Sequence, residues 1–481
     1  MMRQSLASVA AGDYRRLRTT GFIAVAALYG VVIAVLPWPW AIGFFVAPLL
    51  LAIALARPEI GWLLIVAMVV EVVPSDLQPT LVLGVGEIKA YDFLLGALAL
   101  SQLLRFSWRR PTSLAWPGVM NLPLLYLLAG VSVSVCYVLI ARPNVNWLSE
   151  ARVQLLWLLL PLAVIGIDSP ERHRRLLIGI VGFGLVIAGY MILQAFLGLH
   201  IMTDARIEAL DIYSNADVTR SIAGGGIYLL VFALILSINA LIHRRVGWLA
   251  GLTAVAILTL GLAVQYGRGI WLAAAAGLLL SAFLYRGLVA AVGTGLVAAL
   301  AVALLLVGLS IERPRVAEAL IERATGILEE VDSGASLRWR FVENRDALYQ
   351  IEQHPWLGVG IGGDYKAMNT HSFPNETRYL HNGYLYFPLK FGLWAGAIPA
   401  TFVGVFVLLM RRILIRARPG STERLYAASL AGSALVPILT CFTQPEWADP
   451  KGVTALAALF SLLLLLRRDG FPERSAMQPM S

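Results

Sequence analysis

The chain has 481 residues, of which 59% are hydrophobic and only 14% charged, with a mean hydropathy of +0.75. This apolar content excludes an ordinary water-soluble domain. Two cysteines, Cys136 and Cys441, exclude a disulfide framework and a cysteine-type metal site. The net charge of +9 raises the question of nucleic acid, but the arginines stand in short clusters between apolar runs, so topology explains them and no nucleic-acid partner is expected.

Most apolar runs are the length of a membrane-spanning helix and lack the alternation of a transmembrane barrel, so an all-α integral membrane protein is expected. After an N-terminal tail at 1–20, spans are predicted at 21–36, 40–56, 60–73, 88–104, 119–141, 153–167, 174–198, 222–242, 248–265, 269–285 and 287–310. A long connection at 311–380 leads to further spans at 382–410, 424–442 and 452–466 and a tail at 469–481. The total is about twelve to fourteen transmembrane helices. The first run ends in Leu36-Pro37-Trp38-Pro39-Trp40 without a small-x-small cleavage pattern, so it reads as a retained span.

Clusters such as Arg15/Arg16/Arg18, Arg105/Arg109/Arg110 and Arg411/Arg412/Arg416/Arg418 fall on alternate connections. With the N-terminus inside, inside segments hold about 22 Lys and Arg and the short outside segments about 7, which sets the orientation. The long connection carries eight more, but a loop of that length crosses regardless of charge, and it is assigned to the outside. Within it, Leu337, Phe341, Leu348 and Ile351 recur at helical spacing, predicting a helix that lies on the membrane or covers a cavity. His354-Pro355 ends that helix. The glycine-rich Trp356–Gly363 stretch that follows predicts a turn bringing backbone close to a neighbour.

This orientation brings three polar residues to the outer level. His381 stands where the loop enters the next span, Arg220 at the outer start of an earlier span, and Arg268 at the outer turn between two spans. Each has a bland reading: arginines at helix ends snorkel to headgroups, a histidine can be merely interfacial, and Asn382 and Gly383 can be helix-start residues. Arg268 is harder to dismiss, because an arginine at the bilayer centre is opposed by roughly 2.5–3.5 kcal/mol on insertion scales, and glycines flank it on both sides. The functional reading is a site for a lipid with a phosphate or diphosphate head. Arginine forks grip phosphate oxygens, and a histidine with an intrinsic pKa of about 6.5 takes a proton from an attacking hydroxyl. Arg338, Arg340 and Tyr384 are secondary candidates. Lys390, deeper in the same span, is expected to pair inside the bundle, and Pro388 to kink that helix. No HExxH, DxD or close carboxylate–histidine cluster is visible in the outer segments, so neither metal nor cofactor is expected.

The stretches SLRWRFVENRDALYQIEQHPWLGVGIGGDY and RYLHNGYLYFPLKFGLWAG resemble the signature region of the O-antigen ligase and polymerase superfamily, with detailed likeness over about 265–410. The resemblance implies a glycosyltransferase of the bacterial inner membrane, with cytoplasmic termini and a periplasmic site. It implies an undecaprenyl-diphosphate-linked glycan donor and, as acceptor, either lipid A-core or a growing glycan. By the same resemblance His381 is the catalytic residue, and Arg220 and Arg268 bind the diphosphate. The rival reading is a transporter or flippase of lipid-linked oligosaccharides, which should place charges near mid-membrane and on both sides.

Overall fold

The computed structural model describes residues 51–83, 86–108, 116–144, 146–199, 207–209, 218–325, 335–366 and 378–470, with the single positions 30, 48 and 201. The first two predicted spans lie outside the described residues, apart from positions 30 and 48 and a helical stretch at 51–56, as do the N-terminal tail and residues 471–481. The chain forms two compact units, Met1–Arg57 and Pro58–Ser481.

The second unit is an all-α membrane bundle, and helices occupy each predicted span from 60–73 onward. In chain order they are α1 (Pro58–Val69), α2 (Ala90–Trp108), α3 (Asn121–Ala141), α4 (Trp147–Gly166), α5 (Pro170–Leu197), α6 (Ile227–Ile242), α7 (Trp248–Ala263), α8 (Arg268–Arg286) and α9 (Leu288–Glu312). Among the described residues eight helices are long and apolar enough to cross a membrane, and α1 and α7 are shorter apolar helices. The long connection holds α10 (Pro314–Thr325) and α11 (Ala335–Gln353), followed by α12 (Gly383–Phe391), α13 (Leu393–Arg416), α14 (Thr422–Thr440) and α15 (Pro450–Asp469). Two small antiparallel hairpins join them, β1 (Thr80–Leu83) with β2 (Gly86–Lys89), and β3 (Ile207–Ala209) with β4 (Thr219–Ser221).

Helix α15 is apolar on every face, and every residue from Gly452 to Leu466 is buried, so it forms the centre of the bundle. Helix α9 is more apolar still, yet only Ala291 and Thr294 along it are buried, so it stands at the lipid-facing rim. Helices α8 and α14 meet backbone to backbone: a Cβ on Gly432 would lie 2.1 Å from the Gly277 carbonyl oxygen. Close approach of this kind is how helices associate where lipid is as apolar as the side chains. A buried amide adds to it, with Asn239 of α6 donating to the hydroxyls of Ser281 (2.6 Å) and Ser429 (3.0 Å).

The predicted continuous helix at 382–410 is corrected. It breaks into α12 and α13 at Gly392, whose φ of +98° lies in the region glycine favours. A side chain there would also strike the Trp356 carbonyl oxygen, 2.1 Å from an ideal Cβ. Pro388, the expected cause of a kink, sits inside α12, and the chain turns one helical turn later.

Gly432→Ala should therefore lower the thermal midpoint of the purified protein by an amount matching roughly 1–3 kcal/mol of overpacking. Gly293→Ala, where a Cβ meets open space, should leave it unchanged or slightly raised. Equal midpoints for the two variants would refute the α8–α14 contact.

Candidate active site

The His381-Asn382-Gly383 triplet resolves into three separate tasks. Asn382 caps α12, its side-chain oxygen accepting the Tyr384 and Leu385 amides at 3.1 and 3.3 Å. Gly383 donates its amide to the Cys441 carbonyl at 2.9 Å, and an added Cβ would meet the Cys441 sulfur at 2.4 Å. This leaves His381 just ahead of the cap, 29% exposed, with its ring edge-on to Tyr379 at 4.8 Å.

The His381 Nδ1 lies 2.7 Å from Oε2 of Glu343 on α11. The other oxygen of Glu343 accepts from Lys366 Nζ at 2.5 Å, and both Glu343 and Lys366 are buried. Burial works to raise the Glu343 carboxyl, but the hydrogen bonds and charges of His381 and Lys366 outweigh it and hold the group below the ordinary carboxylate range. The expectation of no close carboxylate–histidine cluster is thus corrected to a pair, which the sequence concealed because the partners are far apart in the chain. Of the residues that carry the predicted apolar spacing on α11, Phe341 and Leu348 are exposed, whereas Ile351 is buried and continues a stripe at i+4 spacing with Glu343 and Ala347. Helical spacing of these three was the available signal.

Helix α11 rests on a small core of Ala347, Ile351, Val359, Tyr365, Leu380 and Leu389. The glycine-rich turn makes the close approaches expected of it. Its Val359 amide donates to the Leu389 carbonyl at 2.8 Å, Ile361 to the Ser134 hydroxyl at 2.9 Å and Gly362 to Glu150 Oε2 at 2.9 Å. Lys390, fully buried as the sequence suggested, donates to the Gly363 carbonyl at 2.6 Å and pairs with Glu150 at 3.2 Å. Glu150 therefore joins α4, α12 and the turn, a role the sequence did not reveal.

The two arginines meet at the turn between α7 and α8. Arg220 lies in β4 and not at a helix start as predicted, and its Nε donates to the Gln265 carbonyl at 2.8 Å. The next residue, Ser221, donates its amide to the Val264 carbonyl at 3.2 Å. Arg268 begins α8 and donates Nε to the Arg323 carbonyl at 2.7 Å, while Arg323 returns a bond to the Tyr266 carbonyl at 3.4 Å. Of the secondary candidates, Tyr384 donates its hydroxyl to the Ile438 carbonyl at 2.8 Å, Arg340 is half-buried, and the Arg338 side chain lies outside the described residues.

Glu446, in the α14–α15 connection, joins α6 to the start of α12. Its Oε1 accepts from the Tyr228 hydroxyl of α6 at 2.5 Å, and its backbone packs against Gly383 and Gly452. Beside Gly224, near the same α15 start, a cavity of about 180 Å³ is lined by Glu71, Lys89, Tyr91, Arg152, Asp449 and Lys451 among others. Lys451 pairs with the buried Glu71 at 3.1 Å. Among the described residues no group of three or more His, Cys, Asp and Glu is placed to hold a metal.

Residues 253–400 match the family model for O-antigen ligase. Over that stretch the chain is similar to the O-antigen ligase and polymerase superfamily. The matched stretch of this superfamily contains Arg268, α11 with Glu343, the glycine-rich turn and His381, and begins after Arg220. No curated protein matches the chain.

Burial first, and then the Asp449 carboxylate, push the Glu446 carboxyl from its ordinary 4.5 up to about 8. A raised folded-state value means that folding favours the protonated acid, so this contribution to stability is complete below about 4.5 and lost as pH rises through about 8. Thermal midpoints should fall over that window in the wild type and fall less in Glu446→Gln, which mimics the protonated form. Parallel profiles for the two proteins would show that Glu446 is already ionised when folded.

Proposed function

We propose that this O-antigen ligase or polymerase type protein is a glycosyltransferase that moves a glycan from undecaprenyl diphosphate to a sugar hydroxyl at the periplasmic face of the inner membrane. The observation that carries the reading is the Glu343–His381 pair, held at the end of the bundle that also carries Arg220 and Arg268. With Glu343 accepting the Nδ1 proton, His381 presents Nε2 as a base, and the carboxylate stabilises the imidazolium that forms.

In the reaction the acceptor oxygen bonds to the anomeric carbon while the bond from that carbon to the diphosphate oxygen breaks. The bonding pair leaves with the diphosphate, and the hydroxyl proton passes to His381. A single displacement of this kind inverts the anomeric centre and, in this reading, uses no metal. Arg220 and Arg268, each oriented through its Nε, receive the charge that develops on the diphosphate. The mixed charged lining of the nearby 180 Å³ cavity offers both donors and acceptors to a polyhydroxyl ligand. Lipid A-core and a growing glycan are the two acceptors to compare. The one-ended placement of the pair and the arginines argues against the transporter reading, in which charges line a path through mid-membrane.

With purified protein and a lipid-linked donor, His381→Ala should lower transfer by about 10²–10⁴-fold. Glu343→Gln, which keeps the shape but removes the charge, should lower turnover by at least about tenfold with donor affinity little changed. Near-normal turnover in either variant would remove the pair from the chemistry.

Arg268→Lys separates charge from geometry. A grip on diphosphate needs the planar fork, so turnover should fall by an amount on the order of 2.7–4 kcal/mol if the contact acts like one oxyanion-hole donor. A snorkelling role predicts a silent substitution, since lysine snorkels as well. The face is tested separately by single cysteines at Glu352 and Arg418, both exposed, in a chain lacking Cys136 and Cys441. In spheroplasts an impermeant thiol reagent should label the first and spare the second; the reverse pattern would invert the topology.

A further inference from the structure

An apolar groove of about 580 Å³ lies between α8, α13 and α14. On α14 its lining runs from Arg424 to Ile438, about 20 Å at 1.5 Å per residue. One leaflet of the hydrocarbon core is about 15 Å deep, so the groove reaches from headgroup level past the bilayer midplane. Ala431 and Ala434 form part of its wall, and Phe406 and Met410 face them from α13.

Two guanidiniums stand at one end, Arg411 on α13 and Arg424 on α14. Arg424 is fixed by bonds from Nε to the Leu284 carbonyl at 3.2 Å and from Nη1 to the Leu414 carbonyl at 3.4 Å. Nearby, Arg467 feels the charges of Arg412 and Arg416. Among the described residues no carboxylate is ion-paired with Arg411, Arg412, Arg416 or Arg424. Among the described residues this charge is not matched by a carboxylate. A positive-inside signal requires arginines on this side but does not require an acyl-sized groove ending between two of them.

We propose that this groove holds an anionic glycerophospholipid, its phosphodiester between Arg411 and Arg424 and one acyl chain along α14. The charged end fixes the occupant's direction. Helix α14 begins at the basic end and finishes at Thr440, beside the Cys441 carbonyl that binds Gly383. The headgroup therefore sits at the opposite end of the bundle from His381. A lipid-linked donor reacting at His381 has its diphosphate at the wrong end for these arginines, so the occupant is a separate, resident lipid. Anionic lipid is attracted by juxtamembrane arginines where a zwitterionic headgroup is not.

The test is native mass spectrometry of the full chain released from vesicles of phosphatidylglycerol and phosphatidylcholine in equal amounts. Wild type should retain phosphatidylglycerol, and Arg411→Gln should retain less by about fivefold, the effect of one arginine near a charged headgroup. Ala431→Phe, which fills the groove and leaves the charges, should lose the lipid while eluting as a single species. Retention of both lipids alike by wild type, or undiminished phosphatidylglycerol in either variant, would overturn the site. An isoprenoid lipid as the retained species would overturn it too, and would assign the groove to the donor tail.

Discussion

Glu343 is a carboxylate taken almost wholly out of water, and such a group is tolerable only when its charge is matched and its oxygens are bonded. His381 and Lys366 meet that requirement from two different parts of the chain. The one pair of contacts therefore draws α11, the end of the glycine-rich turn and the start of α12 into a fixed arrangement. Removing either partner would leave a buried charge exposed to the full desolvation penalty, several kcal/mol per ion. Lys390 and Glu150 repeat the device one layer deeper, where a buried ammonium and carboxylate tie the turn to the bundle. The segment over the bundle end is thus positioned by matched charges and backbone hydrogen bonds more than by apolar area, since its own core is only a handful of side chains.

The helices were legible in the sequence because the bilayer imposes a length and a composition on anything that crosses it. Their arrangement was not. Helix α9 is the more apolar of the two, yet it is at the rim and α15 at the centre, because lipid and protein interior are equally good surroundings for leucine. What distinguishes them is contact geometry: Gly452 packs against Glu446 and Gly225 packs against Lys451, close approaches that no hydropathy window records. The break at Gly392 was hidden for a similar reason. Its cause is the Trp356 backbone arriving from a distant loop, whereas the local sequence pointed to Pro388.

At the site, positive-inside counting needs only the loops, and by it the sequence assigns His381, Arg220 and Arg268 to one expected level. Glu343 was passed over because it sits among other charged residues on a helix whose exposed face also carries Phe341 and Leu348. Apolar spacing does not reveal a buried stripe that itself contains an ion pair. Arg220 was assigned to the wrong element, since three residues of strand joined to a hairpin leave almost no periodic signal.

The position of Arg268 adds a separate argument about charge. It is the first residue of a nineteen-residue helix, where the partial positive charge of the helix terminus disfavours a cation by about 0.3–1 kcal/mol. Arg286, in the last turn of the same helix, has the favourable placement. Lys451 shares the unfavourable one on α15, and there Glu71 lies 3.1 Å away to offset it. Under the proposed function an anion at Arg268 meets the guanidinium and the helix terminus together, two attractions of the same sign. Fixing Nε on the Arg323 carbonyl holds the guanidinium at that terminus in the folded protein, and under the proposed function this is the preorganisation that binding a diphosphate requires.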